Sequence, residues 1–149
     1  MIENTIEVVR TFDTLSGYKL LLELDIDGQP ARKSNSRRIV TNRKTNKPML
    51  IKSEAALNYG ELFLHQVPDD AKLKLGSLGD PLAMFVIIYY QSRRPDLSVE
   101  LIMDLLQKSE VVRDDRYIYE TRAWKFFDKD HPRIRLRLYT LPPKRLIPF

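Results

Sequence analysis

The sequence predicts an α/β domain of the α+β type, in which a mixed, largely antiparallel sheet packs with two main helices. Residues 133–138 alternate arginine with aliphatic residues, as in a strand with one buried face. Residues 82–90 form a continuous apolar run of strand length. Two further segments, residues 53–67 and 98–107, place apolar residues at helical spacing. Strands and helices are therefore mixed along one chain, as α+β domains require.

The composition predicts a single domain, residues 1–149, and limits its compartment and partners. A chain of 149 residues can bury a core, and its net charge of +5 favours a polyanionic partner. It contains no cysteine, which excludes disulfides and cysteine zinc sites and agrees with a reducing cytoplasm. The N-terminus lacks a signal-peptide pattern, and the longest apolar run is too short to cross a bilayer. We therefore expect a cytoplasmic protein without a membrane partner.

The first elements are two predicted strands, residues 5–12 and 18–26. A turn at Ser16 and Gly17 joins them. Asp27 and Gly28 form a second turn signal, so the strand pattern stops there.

A basic loop, residues 31–52, follows and contains no acidic residue. Two short strands within it, residues 38–41 and 49–51, can pair as a hairpin. One interpretation is a solvated basic surface. The other, which we favour, is contact with a nucleic-acid backbone, because clustered cations neutralise phosphates. The predicted DNA-binding residues are Arg32, Lys33, Asn35, Arg37, Arg38, Arg43, Lys44 and Lys47.

The first predicted helix, residues 53–67, has Ser53 as its N-cap and Pro68 beyond its end. His65 lies within it, and the second histidine, His131, is far away in sequence. Surface or core positions therefore explain both histidines better than metal ligation.

The central strand, residues 82–90, precedes the second predicted helix. Pro95 ends the extended segment because its ring fixes φ and its N–H is missing. Ser98 can then cap a helix that ends near Gln107.

Carboxylates surround this second helix in an acidic region, residues 93–120. Asp96 follows the central strand, Glu100 and Asp104 lie on the helix, and an Asp-Asp pair at 114–115 precedes the next strand. Hard oxygen ligands of this kind suit Mg²⁺ or Mn²⁺, which support phosphodiester hydrolysis. The alternative is that Glu100 and Asp104 form the solvated face opposite the apolar stripe. The sequence contains no glycine-rich phosphate-binding loop, so we expect no small-molecule cofactor.

Three motifs of this region, Pro95-Asp96-Leu97, Asp104-Leu105-Leu106 and Asp114-Asp115, match a known pattern. They resemble the RusA family of Holliday junction resolvases, whose members carry Pro-Asp-x-Asp-Asn, a helix ending in Asp-x-Leu, and an Asp-Asp pair before a strand. The resemblance extends more weakly over residues 25–139. It implies a RusA-like fold and a homodimeric, Mg²⁺- or Mn²⁺-dependent endodeoxyribonuclease that cuts four-way or other branched DNA. For a phage-encoded chain, the host cytoplasm is the implied compartment.

The match to the family's metal-binding aspartates is incomplete. With Asp96 at the first aspartate, Ser98 occupies the position of the second; with the helix ends aligned, Asp96 takes the second position and an arginine the first. Asp96 and Asp115 persist in both alignments. We expect Glu100 to supply the third carboxylate, because it lies one helical turn closer than Asp104 to the strand end. The predicted catalytic residues are Asp96, Glu100 and Asp115, and the predicted metal ligands are Asp96, Glu100, Asp114 and Asp115.

The C-terminal part predicts two more strands and an extended tail, residues 140–149. In the first strand, residues 117–127, the aromatic side chains pack in the core or stack on exposed bases; they are Trp124, Phe126 and Phe127. The last strand directs its aliphatic residues to the core and its arginines to solvent or DNA.

Two other functions stay open from the sequence. A RusA-fold protein with an altered aspartate motif can bind branched DNA without cleaving it. A restriction-type nuclease is the third interpretation, because Pro95-Asp96 is followed by Glu120-x-Arg122, although that motif normally has a lysine.

Overall fold

The computed structural model describes residues 17–31 and 37–142. The strand predicted at residues 5–12, the basic-loop residues Arg32, Lys33 and Asn35, and residues 143–149 of the tail lie outside this part. The predicted fold class is confirmed, with a four-stranded mixed sheet, a two-stranded sheet and two helices. In chain order the elements are β1 (Lys19–Asp27), β2 (Arg37–Thr41), β3 (Pro48–Lys52), α1 (Glu54–Gln66), β4 (Leu82–Tyr90), α2 (Glu100–Lys108), β5 (Ile118–Phe127) and β6 (Arg133–Thr140).

The main sheet has the strand order β1-β6-β4-β5. β6 pairs antiparallel with both β1 and β4, while β4 and β5 run parallel. A parallel pair needs a crossover connection, and here that connection contains α2. All nine residues of β4 are buried, as expected for an apolar run with a strand on either side.

β2 and β3 form the hairpin that the basic loop predicts. Arg37 pairs with Lys52 at its open end, and Thr41 pairs with Pro48 beside the turn. In the turn, Asn46 has a φ of 56°, a conformation that asparagine tolerates better than most residues. The hairpin forms a sheet separate from the main one.

The two helices begin in different ways. The Oγ of Ser53 accepts a hydrogen bond from the Ala56 N–H at 3.2 Å, which confirms the predicted cap of α1. The predicted cap of α2 is wrong, because Val99 is its N-cap and supplies no side-chain bond. The Ser98 backbone instead hydrogen-bonds the Tyr90 hydroxyl. Neither helix of the described residues is long and apolar enough to span a membrane.

Both helices cover one face of the sheet and build the larger core with it. Gly60 of α1 is buried, and a Cβ atom there would lie 3.4 Å from Leu105 of α2, so the helices pack closely at this point. The largest fully buried side chains of this core include Phe63, Leu82, Met84, Ile88, Ile102, Leu105 and Leu106.

On the opposite face, the described residues include a second cluster of aromatic and aliphatic side chains from the sheet itself. Trp124 lies edge-on to Phe85 at 6.0 Å between ring centroids, and Phe126 lies 5.8 Å from Tyr89. Packing therefore accounts for Trp124 and Phe126, whereas Phe127 remains 46% exposed.

The β6 arginines on this face form ion pairs with neighbouring acids, while their contact with DNA stays a prediction. The acids of β1 and of the β5–β6 turn lie directly beside them. The pairs are Arg137–Glu23 at 2.7 Å, Arg135–Asp25 at 3.1 Å and Arg133–Asp128 at 2.8 Å. The hydrogen bond from Arg133 lowers the pKa of the Asp128 carboxyl, so this pair is charged at neutral pH.

Candidate metal and DNA-binding site

The parallel crossover decides which carboxylates can meet. Tyr90, the last residue of β4, pairs with Phe127, the last residue of β5. The end of β4 and the start of β5 therefore lie at opposite ends of the strand pair. Asp96 follows the end of β4, while Asp115 precedes the start of β5. The two aspartates thus approach α2 from opposite ends of the sheet.

Asp115 belongs to a group of three carboxylates that includes Asp104 of α2. Partial burial raises the pKa of the Asp115 carboxyl. The carboxyls of Asp104 and Asp114 raise it further, by charge repulsion and by hydrogen bonds that involve the protonated acid. Three acids this close hold excess negative charge, which a cation can neutralise.

A short 3₁₀ turn, Asp115–Tyr117, orients the Asp114–Asp115 pair. The Oδ1 of Asp114 accepts a hydrogen bond from the Arg116 N–H at 3.0 Å, and its Oδ2 lies 3.1 Å from Arg116 Nε. The Asp115 N–H donates to Oε1 of Gln107 at 3.0 Å. The turn is therefore fixed to α2 through Gln107, while Arg116 partly neutralises Asp114.

A small cleft lies between α2 and the basic hairpin, and Asp104 is the member of the acidic group that lines it. Its volume is about 40 Å³, and its lining includes Glu100 and Asp104 of α2 with Arg37 and Lys52 of the hairpin. Such a volume is sufficient for small ligands of the size of water. Cations that can bind a phosphate thus lie beside carboxylates that can bind a divalent ion.

Asp96 has a different environment. It is exposed, and its backbone carbonyl accepts a hydrogen bond from the Tyr90 hydroxyl at 3.3 Å. Burial raises the pKa of Tyr90, the Ser98 backbone hydrogen bond lowers it, and the Asp96 charge raises it. The hydroxyl of Tyr90 therefore anchors the segment between β4 and α2.

The fit to a metal ion can be tested on this donor set. Among residues 17–31 and 37–142, no three or more histidine, aspartate or glutamate side chains form a group that could hold a metal ion. The donor chemistry nevertheless suits Mg²⁺ or Mn²⁺, because carboxylate oxygens are hard ligands. Asp104 and Asp115 fit best, since Asp104 is near enough to raise the pKa of Asp115 and Arg116 already engages Asp114.

Five basic residues of the hairpin are exposed, whereas Lys52 at the end of β3 is partly buried. The exposed residues are Arg37, Arg38, Arg43, Lys44 and Lys47. Their exposure leaves the side chains accessible to a polyanion, and Arg37 also reaches the cleft beside α2.

The restriction-type motif is not assembled. Glu120 accepts a hydrogen bond from Tyr18 and forms a 3.7 Å ion pair with Arg122. It pairs with Ala83 near the start of β5, far along the strands from the segment that carries Asp96. This placement disfavours a joint site of Asp96 and Glu120.

Asp104 is the α2 carboxylate that raises the pKa of Asp115, while the choice of Glu100 as the third metal carboxylate stays a prediction. Sequence reasoning passed over Gln107. A signal for both was present, because Glu100, Asp104 and Gln107 follow one another at intervals of four and three residues and share a helix face. The sequence could not specify at which end of the sheet this helix face lies next to Asp115.

No protein-family model matches this chain, and no curated protein is significantly similar to it. The resemblance to RusA nucleases therefore stays a prediction carried by the acidic-region motifs.

Proposed function

We propose that this protein is a divalent-metal-dependent endodeoxyribonuclease that acts on four-way or other branched DNA. The observation that carries the proposal is the proximity of Asp104 and Asp114 to Asp115, whose pKa is raised by burial and by these two carboxyls. Its support is the cleft that places Arg37 and Lys52 next to the same helix. A phosphodiester hydrolase needs both kinds of group within reach of one phosphate.

The roles of the chain's own residues follow from their positions. Arg37 and Lys52 bind the phosphate and orient it towards α2. Asp104 and Asp115 hold the divalent ion, and Gln107 fixes the backbone of Asp115. A bound Mg²⁺ or Mn²⁺ lowers the pKa of the attacking water and neutralises charge at the leaving oxygen. Because the pKa of Asp115 is raised, ion binding should strengthen as the pH rises and this carboxyl loses its proton.

The branched substrate and a homodimer are the finer parts of the proposal. They rest on the resemblance of the acidic region to RusA nucleases. A four-way junction has two-fold symmetry, so a two-fold dimer can place one site at each cleaved strand. The cysteine-free sequence supports a cytoplasmic location, in the host cell if a phage encodes the chain.

Cleavage of a synthetic four-way junction tests the proposal directly. We expect nicking in Mg²⁺ or Mn²⁺, little cleavage of a linear duplex of the same sequence, and none in excess chelator. Asp115→Asn should abolish cleavage but retain junction binding, because removing a negative charge does not weaken phosphate attraction. Cleavage that persists in chelator, or in Asp115→Asn, contradicts the mechanism.

A second candidate is a protein that binds branched DNA without cutting it. The observation that favours it is that no group of three or more acidic or histidine side chains in the described residues could hold a metal ion. This candidate predicts tight junction binding, no cleavage in either metal, and no change in melting temperature on adding Mg²⁺ or Mn²⁺.

A further inference from the structure

An aromatic–basic patch lies at the far end of β5 from the carboxylates. It is an open concavity of about 280 Å³, lined by Arg93, Lys125, Phe126 and Phe127. Phe127 is the last residue of β5, and Ile118 is the first, so the patch lies about 30 Å along the strand from its start. A ligand held here is distant from any phosphate cut beside Asp115.

The patch has an exposed aromatic ring with one cation beside it and a second cation close by. The Phe127 ring is 46% exposed, and the Arg93 guanidinium lies 6.0 Å from its centroid. The Lys125 ammonium donates to the Arg93 carbonyl at 2.7 Å and lies 6.0 Å from the Tyr90 ring. These contacts hold the Arg93 guanidinium beside the Phe127 ring and the Lys125 ammonium beside the Arg93 backbone.

This combination of groups matches the chemistry of a nucleotide. An unpaired base stacks on an exposed aromatic ring, and flanking cations bind the phosphates on either side of it. A second concavity, at the start of β5, has similar aromatic residues in Tyr117 and Tyr119. Its cation, Arg116, is already paired with Asp114 at 3.1 Å, so that concavity lacks the charge complementarity of the patch.

We propose that the aromatic–basic patch binds an unpaired nucleotide of a DNA strand, with the base stacked on Phe127 and the phosphates held by Arg93 and Lys125. The inference rests on DNA as the partner in the proposed function, but it does not require cleavage. It supplies a physical basis for choosing branched over linear DNA, because a branch point exposes bases that a continuous duplex keeps stacked.

Binding of a thymidine oligonucleotide with one 2-aminopurine tests this site, using the full chain. Wild type should bind it and quench the 2-aminopurine fluorescence through stacking. Phe127→Ala should weaken binding about tenfold and lose the quenching, while Phe127→Trp should retain both. Arg93→Gln with Lys125→Gln should lower the salt-dependence slope by about 0.7 per lost contact on a single strand. Tyr119→Ala is the matched control, since this aromatic side chain of the same strand is 51% exposed and should have no effect.

Several outcomes overturn the inference. They are a wild type that does not bind the oligonucleotide, a Phe127→Ala variant that binds and quenches like wild type, and an equal loss in Tyr119→Ala. A change of oligomeric mass in Phe127→Ala without a change in DNA binding also overturns it, because the patch then contacts another copy of the chain. Junction cleavage measured on the same samples separates the two proposals: quenching without cleavage contradicts only the nuclease, and cleavage without quenching contradicts only the patch.

Discussion

The two ends of the β4–β5 pair present different chemistry to the same crossover. At the start of β5, Asp104, Asp114 and Asp115 are close enough to raise the pKa of Asp115. At the end of β5, Arg93 lies beside the exposed Phe127 ring with Lys125 close by, and Asp96 lies in the connecting segment anchored by Tyr90. The difference shows that acids close together in sequence are divided by a parallel connection. If the two ends act separately, substitutions at one end should have effects that substitutions at the other end lack.

The largest expected difference is in cleavage rate. Asp104→Asn should reduce metal-dependent nicking at least about 100-fold. Replacing a residue that only hydrogen-bonds to a metal ligand already lowers metal affinity or activity by up to about 100-fold, and Asp104 is proposed to bind the ion itself. Asp96→Asn should cost no more than about threefold, or about 0.6 kcal/mol of transition-state stabilisation, since its end of the sheet lacks the acid contacts. Single-turnover nicking of a junction measures both.

Glu100→Gln completes this comparison, because Glu100 lines the cleft but is not among the groups that raise the pKa of Asp115. We expect an intermediate loss of about tenfold, equivalent to about 1.4 kcal/mol. Equal losses in Asp96→Asn and Asp104→Asn would mean that the two ends form a single site.

The melting temperature tests metal binding at the two ends without a cleavage assay. A metal at about 100 times its Kd adds about 2.7 kcal/mol of stability, or about 5 to 10 °C for a domain of this size. Wild type should show this increase with Mg²⁺ or Mn²⁺, and Asp115→Asn should lose most of it. Asp70→Asn, which removes an exposed carboxylate elsewhere, should behave like wild type.

The same measurement in chelator has a defined pH dependence. The raised pKa means that protonated Asp115 contributes stability that is complete below the ordinary value of 3.8 and is lost as the pH rises through the raised value. The side chain of Asp115→Asn is neutral at every pH. Its melting temperature should therefore be higher than that of wild type at about pH 7 and equal to it at about pH 3.5. A variant that melts below wild type throughout shows that the contact is not repulsive.

Salt dependence of junction binding compares the hairpin with basic residues elsewhere. Lys44→Gln with Lys47→Gln should reduce the slope of log K against log salt by about 1.8, which is about 0.9 for each lost phosphate contact. Lys72→Gln with Lys74→Gln is the control, because these lysines are paired with Asp69 at 3.2 Å and Glu110 at 3.8 Å. Equal slopes for the two double variants would mean that the hairpin is a solvated basic surface that makes no phosphate contacts.

The smallest effect concerns the anchor of the Asp96 segment. Tyr90→Phe removes the hydroxyl that binds the Asp96 carbonyl and the Ser98 backbone, and should lower the free energy of unfolding by about 1 kcal/mol. Tyr59→Phe is its control, since the buried Tyr59 hydroxyl has no hydrogen-bond partner among the described residues and its removal should cost nothing. Urea denaturation of both variants checks this difference.

Much of the fold follows from local patterns in the sequence. The apolar run of β4, the alternation of β6, the Ser53 cap and the basic hairpin were all predicted and are all present. The cap of α2 was mispredicted because the helix begins at Glu100, which makes Val99 and not Ser98 the N-cap residue. The ion pairs between the β6 arginines and the β1 acids were not predicted from the sequence.

The sequence by itself determined that this chain carries a basic hairpin and a helix flanked by acids, because charge, alternation and helical period are properties of neighbouring residues. Only the tertiary structure decided which acids meet. The parallel pairing of β4 and β5 sends Asp96 and Asp115 to opposite ends of the strands, and the face of α2 then selects Asp104 as the partner of Asp115. Strand direction depends on hydrogen bonds between residues distant in sequence, and so no local pattern specifies it.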